Sequence, residues 1–197
     1  MLLVIIMPKP KAFTLVIDFE TANVASTSAC ALGLVVLDEY KIIHTECFMI
    51  RPPTQFFAFT HIHGLTWNDV KDAPTFGEIW KSKLEKWFDQ SSKLVAHNIG
   101  FDFRVLTNTA LHYGIELKPI RRECTVKISK NDLRIYPANL KSVSDHLGIE
   151  LNHHEAMSDA MASAYIYIHA KTGEKPWQQK SLFEPKSNPS QLDSDIY

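Results

Sequence analysis

Phe13-Thr14-Leu15-Val16-Ile17-Asp18-Phe19-Glu20-Thr21 follows two prolines, Pro8 and Pro10. Its first five residues are the short, apolar, β-branched kind of run that forms a buried strand. Two carboxylates one residue apart end it. Side chains at i and i+2 of a strand share a face, so Asp18 and Glu20 converge on one spot. Two anions side by side at a buried strand end repel and lose hydration, and a cation between them relieves both costs. A lone Asp-x-Glu also occurs on solvated strand ends, so its meaning depends on the rest of the chain.

Two more apolar runs follow at strand length, Cys30–Leu37 and Lys41–Arg51, with Asp38-Glu39 as the turn between them and Pro52-Pro53 as the stop. Short links of this kind make an antiparallel meander. A polar turn, Thr60 to Thr66, leads to a helix opened by Thr75 and Glu78 at capping-box spacing. Phe76, Ile79, Trp80, Leu84, Trp87 and Phe88 give that helix one apolar stripe. Lys93–Ala96 is a fourth strand. A helix then runs from about Phe101 to Tyr113 and stops at Gly114. Asp102 lies on its apolar face with Val105, Leu106, Thr109 and Ala110, where a carboxylate is costly without a partner. Asn139 and Gly148 bracket a short helix. A last helix begins near Met157 and carries Ala160, Ala162 and Ala164, small enough for close backbone packing.

The 197 residues suffice for one substantial domain with a tail, and 45% hydrophobic content supports a packed core. The formal net charge is -1, so binding to a polyanion must rest on local basic patches or bridging metal ions. The most basic stretch is Lys118 to Arg134, a solvated surface or a phosphate contact. Cys30, Cys47 and Cys124 are odd in number and far apart, which argues against zinc and disulfide frameworks and for a reducing cytoplasm. The apolar start, Met1–Met7, is too short to span a membrane and lacks a basic leader, so no membrane association is expected. Residues 1–11 form an extension, 12–173 the domain, and 174–197 a flexible tail rich in Pro, Ser, Gln and Lys.

Four carboxylates stand out: Asp18, Glu20, Asp102 and Asp159. Strand ends and helix starts meet at one end of an α/β sheet, where ligands bind. Oxygen ligands select Mg²⁺ or Mn²⁺ over zinc, and two such ions can drive a phosphodiester displacement. His154, five residues before Asp159, is placed to act as the base such a reaction needs.

Asp18-Phe19-Glu20-Thr21, Ala96-His97-Asn98-Ile99-Gly100-Phe101-Asp102 and His154-Glu155-Ala156-Met157-Ser158-Asp159-Ala160 together resemble the three motifs of the DEDD 3′–5′ exonucleases. The His-x4-Asp spacing resembles the DEDDh, or DnaQ-like, branch, which includes the proofreading epsilon subunit of bacterial DNA polymerase III. Ile62-His63-Gly64-Leu65-Thr66 resembles the turn before that family's first long helix. The likeness covers about Phe13 to Ala170. It implies a ribonuclease H-like α/β fold, a mixed five-stranded sheet flanked by helices. It implies two Mg²⁺ ions, with Mn²⁺ able to substitute. Asp18, Glu20 and Asp159 resemble ligands of the first, and Asp18 and Asp102 of the second. His154 resembles the general base, with His153 a solvent-exposed neighbour. Thr21, Asn98 and Phe101 match positions near the terminal nucleotide, where Phe101 would either stack on a base or pack under its helix. The family often has Thr-Thr-Gly after the first Glu, whereas this chain has Thr21-Ala22-Asn23, so contacts at the substrate edge differ.

Gln179-Lys180-Ser181-Leu182-Phe183 in the tail resembles the peptide that docks on bacterial sliding clamps, with Gln179, Leu182 and Phe183 as anchors. The resemblance implies hydrolysis at the 3′ ends of single-stranded DNA, in proofreading or repair, with any polymerase acting in trans. The same motifs fit a 3′–5′ exoribonuclease. A catalytically silent scaffold for nucleic acid or a clamp is a third class, and it predicts erosion of a carboxylate or of His154; all five residues are present.

Overall fold

The computed structural model describes residues 12–178. The Gln179, Leu182 and Phe183 peptide and the extension 1–11 lie outside the described residues. Five strands form one mixed sheet: β1 Phe13–Thr21, β2 Ala29–Asp38, β3 Lys41–Met49, β4 Ser91–Ala96 and β5 Arg121–Cys124. Their order is β3-β2-β1-β4-β5. The first three pair antiparallel as a meander, and β4 and β5 add parallel to β1.

β1 sits at the centre because both its faces are buried, which its apolar run requires. Leu15, Ile17 and Phe19 point to one layer, with Leu34, Leu94, Phe76, Leu84, Val105 and Leu106. Val16 points to the other, with Val35, Val95, Ala160, Ala164 and Tyr167. The alternation places Asp18 and Glu20 on the second side. Contrary to the expectation that the carboxylates end the strand, β1 continues through them to Thr21, with a register shift between Glu20 and Thr21. β1 pairs with β4 only as far as Val16, opposite Val95. Beyond that point the carboxyl end of β1 has no β4 residues opposite it.

The first layer contains α3 Phe76–Ile79, a π-helical segment Trp80–Leu84, and α4 Glu85–Asp89. Their junction residues are all right-handed, so the three run on as one helix. Thr75 and Glu78 make the expected capping box, an arrangement worth about 1 kcal/mol. α5, Ile99–His112, lies beside it. Two short helices, α1 Thr60–His63 and α2 Trp67–Val70, occupy the link after β3. α6 Thr125–Asn131 follows β5, and α7 Leu140–Leu147 has Asn139 as N-cap and Gly148 in the left-handed conformation beyond its end.

α8, Ala156–Thr172, covers the second face. Its alanines allow close approach. A Cβ on Gly33 of β2 would meet the Ala156 carbonyl oxygen at 2.1 Å. The outer side of α8 buries Ala162 and Ile166 against Ile135, Leu140, Val143 and Ile149. Trp177, which the sequence places in the tail, packs on this third cluster beside Tyr165 and His169. Among the described residues no helix is long and apolar enough to cross a membrane.

Candidate active site

The carboxyl end of β1 gathers the four carboxylates from both layers, close enough that Asp102, Asp159 and Glu20 all act on Asp18. Ligand oxygens of Asp18, Glu20 and Asp159 lie within 4.8 Å of one another. Asp18 and Glu20 come from the same face of β1, and Asp159 from the first turn of α8 packed over that face. Asp102 reaches the strand from the opposite layer. It is 1% exposed, and its Oδ1 accepts the Phe19 N–H at 3.0 Å. That N–H points to the side where β4 has ended, so Asp102 supplies the partner the sheet does not.

Such crowding has the expected electrostatic signature. Burial, then Asp102, Asp159 and Glu20, hold the Asp18 carboxyl well above the usual range. Burial, then Asp159 and Asp102, push Glu20 up to about 8. Asp102 rises to about 7, chiefly by burial. Asp159 is raised by burial, against the lowering effect of His153 and the His154 N–H. Four carboxylates that resist ionisation fit a site completed by cations.

Asp159 has two unequal oxygens. Oδ2 accepts the His153 Nδ1–H at 2.9 Å and the His154 backbone N–H at 3.2 Å. Oδ1 is buried with no hydrogen-bond partner among the described residues. A buried, unsatisfied carboxylate oxygen next to two further carboxylates is what a hard divalent cation fits. Asp18, Glu20 and Asp159 therefore suit Mg²⁺ or Mn²⁺, with Asp102 beside them.

His154 is in the left-handed region, φ 69°, which costs about 1 kcal/mol for a residue with a Cβ. That conformation turns its N–H onto Asp159 and stacks its ring on His153, with centroids 3.8 Å apart and planes at 18°. Burial, then the neighbouring His153, hold the His154 imidazole below its ordinary pKa. His153 is therefore more than the solvent-exposed neighbour expected from sequence: although partly open to solvent, it is tied to Asp159. The pairing depends on the turn before α8, where Asn152 N–H bonds Ser158 Oγ at 2.8 Å, and nothing in the spacing signals it.

Thr21 is buried, and its carbonyl accepts the Nε2–H of His63 at 3.1 Å. The Leu65 N–H donates to Nδ1 of the same ring at 3.1 Å. The two partners fix the neutral tautomer, and burial lowers the His63 pKa in the same sense. His63 thus clasps the bulged end of β1 to the turn after α1, a role visible in the sequence only as the unexplained His of that turn. Asn98 is exposed and left-handed, φ 70°, at the start of α5. Phe101 is half-buried against the first core cluster, with the Arg104 guanidinium 6.0 Å from its ring. Asn23 knits the loop in which this chain departs from Thr-Thr-Gly. Its Oδ1 accepts the Ala25 N–H at 2.9 Å, and its Nδ2 donates to the Phe56 carbonyl at 2.8 Å. His97, half-buried and lowered to about 4 by burial, ties the end of β4 to α6 through Thr125 Oγ1 at 2.8 Å.

The sequence pattern of an exonuclease family, RNase_T, matches residues 15–167. The chain is 33% identical over 159 residues to a DNA polymerase III PolC-type of Clostridium perfringens, and 29% identical over 160 residues to one of Caldanaerobacter subterraneus. These alignments cover 77% and 78% of this chain but 11% of each relative, so the chain spans about a tenth of the length of the curated relatives it matches. In fold it resembles the nuclease domain of 3′hExo, a DEDDh family member solved with rAMP, at TM-score 0.69 and 19% identity over 85% of this chain and 96% of that one. It also resembles exonuclease X solved with 5′ overhanging duplex DNA, at TM-score 0.58 and 21% identity over 82% and 93%. The fold is therefore ribonuclease H-like, as the motifs implied.

Proposed function

Because the chain belongs to the exonuclease family whose pattern spans residues 15–167, we propose that it hydrolyses phosphodiester bonds from the 3′ ends of single-stranded DNA with two divalent cations. The observation that carries this reading is Asp159 Oδ1, buried and unpartnered within a cluster that includes Asp18 and Glu20. In this reading Asp18, Glu20 and Asp159 would hold one cation, and Asp18 and Asp102 the second. Two such ions would activate a water and neutralise charge on the entering and leaving oxygens. The chain's own residues then do the rest. His154, neutral at pH 7, takes the proton of the attacking water. His153 and the His154 N–H hold Asp159 Oδ2, leaving Oδ1 free to take a cation. Thr21, Asn98 and Phe101 line the place of the terminal nucleotide, and His63 fixes the backbone beneath it.

DNA is favoured because the relatives that match in sequence are named as DNA polymerases, and the same likeness supports a role in proofreading or repair. The test uses matched single strands of DNA and RNA, labelled at the 3′ or the 5′ end, with Mg²⁺, Mn²⁺ or EDTA. A metal-dependent ladder shortening from the 3′ end of DNA, and lost in Asp18→Ala, is expected. Preference for RNA would move the substrate to RNA. Full activity in Asp18→Ala would overturn the assignment of the site.

A further inference from the structure

The carboxylate cluster poses a problem for any polyanionic substrate. The chain has a net charge of -1, and its site concentrates four acidic side chains. A strand must therefore be held by positive charge next to the site rather than in it. We propose that Lys127, Lys130 and Arg134 form a basic ridge that grips the sugar–phosphate backbone of a single strand upstream of its 3′ end. This rests on the exonuclease reading above.

The fold sorts the six cations of the basic stretch. Lys118 pairs with Asp89, and Arg121 with Glu123. Arg122 lies over the Phe103 ring, 4.2 Å from its centroid. Lys127, Lys130 and Arg134 are exposed and have no ion pair among the described residues. Lys127 and Lys130 are three residues apart on α6, opposite its buried Thr125, Ile128 and Ser129. Residues 125–141 carry four cations, the fourth being Lys141, which pairs with Asp145, and a single carboxylate, Asp132.

Position links this surface to the site. α6 starts at Thr125, whose hydroxyl is bonded to His97 Nδ1 and lies 3.4 Å from the Ala96 carbonyl. The loop after α6 returns to the same place, bringing the Ala138 backbone close enough to the His97 ring to raise its pKa against burial. His97 belongs to the turn that opens α5 and delivers Asp102. The ridge thus flanks the catalytic end of the sheet.

Two further features indicate what it binds. Arg134 is left-handed, φ 58°, at the stop of α6. Gly or Asn fits that conformation more easily, so the cation stands there against local backbone preference. Tyr136 is 66% exposed, and its hydroxyl donates to the Lys130 carbonyl at 3.2 Å. An aromatic ring pinned beside cations suits an unpaired base rather than a duplex.

The test compares the full chain with its Lys127→Gln/Lys130→Gln/Arg134→Asn variant, and separately with Tyr136→Ser. Binding of a labelled 20-nucleotide single strand in EDTA is followed by anisotropy across a salt series, and hydrolysis of that strand and of a dinucleotide is followed in Mg²⁺. The triple variant should bind the long strand about tenfold or more weakly and lose about 2 from the slope of log Kd against log salt, three contacts at about 0.7 each. Its kcat/KM on the dinucleotide should equal that of the parent. Tyr136→Ser should weaken binding to the single strand and not to a blunt duplex. An unchanged salt slope in the triple variant, or an equal loss on the dinucleotide, would overturn the ridge. If the parent binds the strand through the ridge but hydrolyses nothing, the ridge stands and the exonuclease reading fails.

Discussion

Asp159 spends one oxygen on the protein and keeps the other free. His153 and His154 divide that work: the ring of one and the backbone of the other hold Oδ2, while the His154 ring carries no bond to the carboxylate cluster. The two histidines should therefore fail differently when removed. His154→Ala should lower kcat by about 10²–10⁴ with little change in the Mg²⁺ concentration for half-maximal activity, as a lost base would. His153→Ala should raise that Mg²⁺ concentration by about 10-fold or more, as a lost partner of a metal ligand would. Mg²⁺ titrations of kcat for both variants decide this, and an exchange of the two patterns would reverse the assignment. The contrast also marks what a linear sequence holds. Asp18 and Glu20 share a face because of strand periodicity, and His154 stands a fixed distance from Asp159, so these relations are local. The grip of His153 on Asp159 depends on the shape of the turn before α8, held by Asn152 and Ser158, and that of His63 on Thr21 joins residues 42 apart in the chain.

At the scale of elements, the site depends on how closely α8 lies on the sheet. Gly33 is opposite Asp18 in the β1–β2 ladder. A methyl there would fall 2.1 Å from the Ala156 oxygen, 2.5 Å from its carbonyl carbon and 2.9 Å from Met157 Cα. All three are backbone atoms, so the helix start itself must shift, and Asp159 moves with it. Gly33→Ala should therefore cost about 1–3 kcal/mol in denaturant unfolding and most of the nuclease activity, while the far-ultraviolet circular dichroism stays native. Full activity in that variant would show that Asp159 is placed independently of this contact. The strands and helices with strong patterns were legible: the β-branched run of β1, the Thr75 capping box, and the Asn139 and Gly148 brackets of α7. β5 and α6 were not, since both fall within the basic stretch. The strand Arg121-Arg122-Glu123-Cys124 has no apolar alternation because it lies at the sheet edge, and α6 buries only Thr125, Ile128 and Ser129. The π-helical segment keeps Trp80 and Leu84 buried within the same apolar stripe, so the pattern could not announce it.

At the scale of the molecule, the four carboxylates couple the stability of the fold to protons and to metal. Glu20 rises from an ordinary 4.5 to about 8, and Asp102 from 3.8 to about 7, while Asp18 and Asp159 shift in the same direction. A carboxyl with a raised pKa in the folded state binds more protons folded than unfolded throughout that interval. These carboxyls therefore make the metal-free protein less stable as pH rises from about 4 to about 8, the reverse of a salt-bridged carboxylate, while below about pH 6.5 His97, lowered to about 4, works in the opposite sense. A divalent cation at Asp18, Glu20 and Asp159 favours the ionised forms, so its binding must expel protons. Two measurements follow from one cause. The melting temperature in EDTA should decline from about pH 6.5, where the histidines no longer oppose the carboxyls, to about pH 8, and millimolar Mg²⁺ should raise it most at the alkaline end. Calorimetric titration of Mg²⁺ near neutral pH, repeated in buffers of different ionisation enthalpy, should show net proton release, fading as pH approaches 8 and Glu20 ionises unaided. A flat melting profile in EDTA would mean that the carboxylates are relieved by the protein itself, and Asp159 Oδ1 would then need a partner other than a cation.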